Sequence, residues 1–125
     1  MKIEKFKDRL IAFDFESEMV NATDMLRAFP NKRMNDFLNL RVTKEYKEYL
    51  ESKTGIPVLI VKYGGSEHGT WMQRRLAYDL AAWLSVEFKD FIYRIFDKAV
   101  QERLENQQRQ LDYFWDKSDQ KDLYK

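Results

Sequence analysis

Residues 63–84 read YGGSEHGTWMQRRLAYDLAAWL, a glycine-rich polar tip, then an aromatic and basic step, then an apolar repeat. Just before it, IPVLIVKY at Ile56 to Tyr63 is filled with β-branched residues and keeps Pro57 near its start, which predicts a strand. Gly64, Gly65, Ser66, Glu67, His68 and Gly69 then form a six-residue turn whose glycines accept positive φ, and Thr70-Trp71-Met72 returns as a second strand. From Gln73 or Arg74 onward, Leu76, Ala77, Leu80, Ala81 and Leu84 recur at three- and four-residue steps, the period of a helix with one core face. The stretch therefore reads as a hairpin feeding a helix.

Upstream, LIAFDF at Leu10 to Phe15 predicts a strand at the edge of a small sheet, paired with a short piece near Glu18 to Val20. Asn21 and Thr23 are helix caps with Asp24 in the first turn, and Met25, Leu26 and Phe29 give a first helix its apolar face before Pro30 ends it. Met34, Phe37, Leu38 and Leu40-Arg41 repeat at helical spacing in a second helix. Thr43 serves as the expected N-cap of a third helix reaching about Ser52, which Gly55 ends. Downstream of a break at Ser85, Phe88, Phe91, Ile92, Ile95, Phe96, Ala99, Val100 and Leu104 keep the helical period in a long helix. Past Leu104 only Leu111, Tyr113, Phe114, Trp115, Leu123 and Tyr124 are apolar, so a helical extension and a frayed tail are expected over 101–125.

Composition narrows the function classes. A chain of 125 residues holds one domain and one core. No apolar run approaches the roughly 20 residues that cross a bilayer, and the start MKIEKFKDRL has no apolar signal region, which makes a cytoplasmic protein the expectation. With no Cys and one His, His68, thiolate chemistry and Cys- or His-rich metal sites lack their parts. The turn has neither the lysine nor the spacing of a nucleotide-binding P-loop. Asp112 with Asp116, and Glu45 with Glu48, read as solvated helix faces. No enzyme, metal, cofactor or small-molecule substrate is expected. Charge is uneven. Ten basic against six acidic residues give +4 between Asn21 and Arg75, while the segments before and after carry −1 (four against five) and −2 (eight against ten).

The order strand, short helices, hairpin, helix is that of a helix-turn-helix unit followed by a wing, in which the second helix of the pair enters the major groove. VNATDMLRAF at Val20 to Phe29, Asn35-Asp36-Phe37, Thr43-Lys44-Glu45 and above all GTWMQRRLAYDLAAWLS at Gly69 to Ser85 resemble the KilA-N domain of phages and large DNA viruses, related to fungal APSES transcription-factor domains. The resemblance covers roughly Phe13 to Val100 and implies an α+β fold: a small winged helix-turn-helix-like domain over 1–100 with a β-hairpin wing and a long C-terminal helix. It implies double-stranded DNA as partner, transcription regulation in a phage setting, and no catalytic activity.

Within that frame Lys32, Arg33, Asn35 and Asn39 are the base-reading candidates, since Arg suits guanine and Asn suits adenine by paired hydrogen bonds. Arg41, Lys44, Lys47 and Lys53 suit phosphates. Lys62, Tyr63, Gly64, Gly65, Ser66 and His68 form the wing, and Arg74 and Arg75 oppose the dipole of the helix they open, which points to an anionic partner. Each set has a plainer reading as a solvated face or an ordinary turn. Trp71 and Trp83 read as core. The alternative function is an interaction module that keeps the fold and self-associates, as a homodimer, or docks a partner through the C-terminal helix with its Tyr113, Phe114 and Trp115 cluster.

Overall fold

A computed structural model describes the backbone of residues 1–123 and the side chains of residues 1–115. The chain runs β1 (Lys2–Phe6), β2 (Arg9–Asp14), β3 (Met19–Asn21), α1 (Ala22–Arg27), α2 (Met34–Leu38), α3 (Arg41–Thr54), β4 (Leu59–Lys62), β5 (Gly69–Gln73), α4 (Arg74–Leu84) and α5 (Val86–Leu123). The fold is α+β. Its five strands form one antiparallel sheet in the order β1-β2-β3-β5-β4, so the hairpin and the N-terminal strands are one surface rather than two.

Register explains the core. Phe13, Val20 and Met72 stand side by side across β2, β3 and β5, and all three are fully buried. Because successive strand residues point to opposite faces, Ala12, Met19 and Trp71 form a second, smaller cluster on the other side. Helices supply the rest: Met25 of α1, Leu76, Ala77, Leu80 and Ala81 of α4, and Phe88 and Ile92 of α5 lose all contact with water. Phe6 of β1 packs edge-on against Phe88, with centroids 4.8 Å apart, and Phe29 meets the same ring at 5.1 Å. Burying an aromatic or large aliphatic side chain contributes about 1.5–3 kcal/mol, so this set outweighs every surface ion pair described below.

The chain divides into two compact units, Met1–Tyr93 and the segment from Arg94 onward. In the second, α5 is helical through Leu123, where the sequence suggested fraying. Tyr124 of the expected tail lies outside the described residues, as do the side chains from Asp116 on. Leu104, Leu111, Tyr113, Phe114 and Trp115 are exposed.

Several local expectations change. β1 was not foreseen: KIEKF is more charged than apolar, and its turn into β2 puts Lys7, not a glycine or asparagine, at φ 54°. It occupies the edge expected for β2. The strand expected from Ile56 starts only at Leu59, because Pro57 has no N–H and the Val58 N–H is taken by Glu51 Oε2 at 3.3 Å. α3 begins at Arg41 behind Leu40, with no side-chain cap, so Arg41 leaves the second helix for the third and Thr43, 2% exposed, is a core residue. Gly55 does end α3, in the left-handed conformation. Trp71 is core, whereas Trp83 is only half-buried against Phe37.

Gly69 has φ +129°, and a Cβ there would lie 2.8 Å from Asn21 Oδ1 and 2.9 Å from Asn21 Nδ2. Gly69→Ala should therefore cost about 1–3 kcal/mol in urea unfolding. Gly64→Ala, at φ +70° with open space around it, should cost less than Gly69→Ala in the same assay. Equal losses would mean that the contact with Asn21 is not what requires glycine.

Candidate nucleic-acid interface

The first turn of α1 builds the base of the hairpin. Asn21 caps the helix by accepting the Asp24 N–H at 3.1 Å, and its Nδ2 donates to the His68 carbonyl at 3.0 Å. Thr23 Oγ1, expected as a cap, instead accepts the Thr70 N–H at 2.9 Å. Asp24 Oδ2 accepts the Ala12 N–H of β2 at 3.0 Å. These two partners lie 47 residues away in sequence, so the local pattern at Asn21 and Thr23 announces capping alone.

Inside the hairpin, Trp71 Nε1 donates to the Glu67 carbonyl at 2.8 Å and His68 Nδ1 donates to the Gly65 carbonyl at 2.7 Å. Lys62 Nζ lies 4.8 Å from the centre of the Trp71 ring and 3.6 Å from Glu67 Oε2. Lys62 and His68 are thus engaged in shaping the turn. Gly64, Gly65 and Ser66 are exposed, and Tyr63 beside them is 91% exposed.

The helical candidates divide by what already holds them. Lys32 precedes α2 and places its ammonium 4.7 Å from the centre of the Trp83 ring. Arg33 is the N-cap residue of α2, Asn35 lies in its first turn and Asn39 is its C-cap, and all three are exposed. Arg41 pairs with Glu45 at 3.0 Å while its side chain is 91% exposed, an interaction worth about 0.3–0.5 kcal/mol that a phosphate would readily replace. Lys47 is more committed, since its 2.7 Å partner Glu51 also accepts the Val58 N–H. Among the described residues Lys44 and Arg75 have no ion-pair partner.

Arg74 is structural. Its backbone N–H donates to the Glu18 carbonyl at 2.9 Å, its guanidinium lies 3.6 Å from Glu18 Oε2, and its Nε is buried with no hydrogen-bond partner among the described residues. Glu18 offsets the cost of a cation at the start of a helix. Lys53, Arg74 and Arg75 nevertheless share the lining of one surface pocket of about 330 Å³ between α3 and the start of α4, with Glu18 on its wall. Two groups predicted separately, the end of α3 and the start of α4, are neighbours here.

An α+β domain that exposes a short amide- and cation-bearing helix, a longer helix with Arg41 and Lys44 on its surface and a braced hairpin has the parts of a nucleic-acid-binding domain. The sequence model of the KilA-N domain family matches residues 4–102, and the chain belongs to that family. KilA-N domains are a DNA-binding domain family. No curated protein and no solved structure matches the chain.

Glu51 supplies a test of the α3 framework. The Lys47 hydrogen bond, with help from the Val58 N–H, holds its carboxyl below the ordinary glutamate value of 4.5. A lowered folded pKa stabilises the fold above the unfolded value and ceases to do so as pH falls through the folded one. Glu51→Gln should therefore melt below the parent at pH 7, and the gap should close as pH falls below 4.5 and through the lowered folded value. A gap that persists unchanged in acid would remove the carboxylate from the explanation.

Proposed function

We propose that this chain binds double-stranded DNA, with α2 read into the major groove, α3 lying along phosphates and the β4–β5 hairpin acting as a wing. The observation that carries the reading is the exposure of Arg33, Asn35 and Asn39 around one short helix in a KilA-N chain. Arginine and asparagine are the two side chains that best match guanine and adenine edges. Lys32 joins them at little cost, because an exposed cation–π contact such as that with Trp83 is worth about 0.5–1 kcal/mol and yields to a phosphate or base. Arg41, Lys44, Lys53 and Arg75 supply phosphate contacts, and Lys47 contributes less. The biological role we favour is that of a phage or prophage regulator acting in the bacterial cytoplasm, over a domain of residues 1–100 followed by a helical extension.

A second reading has its own observation. Leu104, Leu111 and Trp115 are exposed along one stripe of α5, with Tyr113 and Phe114 exposed beside them on other faces, apolar surface suited to a homodimer or to another protein. The two readings combine if a dimer presents two domains to half-sites about one helical turn apart.

Fluorescence anisotropy with mixed-sequence duplex DNA over a salt series tests the first reading. The parent should lose affinity steeply with salt, and the double variant Lys32→Ala/Arg33→Ala should bind more weakly with a log–log slope smaller by about 2. Absence of binding at low salt would leave the fold serving protein contacts and turn attention to α5.

A further inference from the structure

We propose that Tyr63 enters the minor groove of DNA as an apolar wedge and favours A·T steps there, an inference that rests on the DNA-binding reading above. The starting point is that the hairpin tip has almost no free charge. From Lys62 to Gly69 the charged side chains are Lys62 and Glu67, which pair with each other at 3.6 Å, and the lysine is further drawn over Trp71. A tip built this way adds little to counterion release, so charged side chains do not anchor it on phosphates. It also lacks arginine, asparagine and glutamine, the side chains that read major-groove edges by paired hydrogen bonds.

What the tip offers is shape. Tyr63 is 91% exposed, the most of any large apolar side chain described, yet it begins a turn whose backbone is fixed. Asn21 Nδ2 and Trp71 Nε1 hold the His68 and Glu67 carbonyls, and His68 Nδ1 holds that of Gly65. Bracing the turn lowers the backbone freedom that binding would cost, and the tyrosine ring has only two χ angles to fix. Gly64 and Gly65 follow it at φ +70° and +74° with nothing within 4 Å of where a Cβ would stand, leaving a bare backbone ridge beside the ring. The minor groove is about 6 Å wide, which suits a side-chain-free ridge and a flat ring, and aromatic or aliphatic wedges are established visitors there. Its A·T edges present acceptors only, matching backbone N–H donors, whereas the guanine amino group of a G·C pair would face those donors and obstruct the ring.

Inosine isolates the feature, because replacing guanine with inosine removes the minor-groove amino group and keeps the major-groove acceptors. Anisotropy would compare parent, Tyr63→Ala and Tyr63→Phe on a mixed-sequence duplex and on the same duplex with inosine for guanine, across a salt series. We expect the parent to bind the inosine duplex several-fold more tightly. Tyr63→Ala should lose about tenfold on that duplex, lose the preference, and keep the parent salt slope. Tyr63→Phe should retain the preference, and unchanged thermal melting should show that neither substitution disturbs the fold. A Tyr63→Ala variant that binds like the parent, or keeps its inosine preference, would overturn the proposal while leaving DNA binding intact. A parent that binds neither duplex would instead remove the DNA-binding reading on which the proposal rests.

Discussion

The amide of Asn21, 3% exposed, joins two parts of the domain that lie 47 residues apart in sequence. Its oxygen caps α1, its nitrogen holds the turn of the β4–β5 hairpin through the His68 carbonyl, and its flank leaves room only for a glycine at position 69. Leaving a buried polar group unpaired costs about 1–3 kcal/mol, and here both ends of one amide are at stake. The next residues extend the junction: Thr23 fixes β5 and Asp24 fixes β2. Three residues, Asn21, Thr23 and Asp24, therefore set where the helix starts, how β2 and β5 lie against it, and how the hairpin turn is held.

That junction has an electrostatic counterpart. Net charge is only +1, so long-range attraction to nucleic acid is weak and local placement must decide any contact. The structure sorts its cations accordingly. Lys62 and Arg74 are spent on the architecture, one beside Trp71 and Glu67, the other on Glu18. Arg41 and Lys32 are held by contacts weak enough to exchange, and Lys44 and Arg75 face solvent. A +4 central segment thus overstates the freely available charge.

Much of the fold could be read from the sequence because its signals are local. The period of α4, the break at Ser85, the β4–β5 turn and the stop at Gly55 each follow from a few consecutive residues. The misses have a common cause. β1 pairs only by virtue of β2, Thr43 is buried only because neighbouring elements pack over it, and the late start of β4 at Leu59 depends on Glu51 claiming the Val58 N–H. For the candidate site, residue types were legible and their availability was not: nothing in the letters separates Arg74, tied to Glu18, from Arg75, exposed beside it.

The same reasoning explains why a rigid hairpin and exchangeable surface cations belong in one molecule. Long basic side chains give up rotamer freedom whenever they settle on a phosphate, so each contact is individually modest and salt-sensitive. A hairpin already fixed by Asn21, Thr23 and Trp71 has little left to lose, and shape complementarity at its tip does not weaken with ionic strength. On the proposed reading, the fixed part of such a surface would offer a chain with one net positive charge the contribution that bulk electrostatics cannot. The cost of fixing it is met during folding, by burying Trp71 at 1% exposure and satisfying its N–H within the turn.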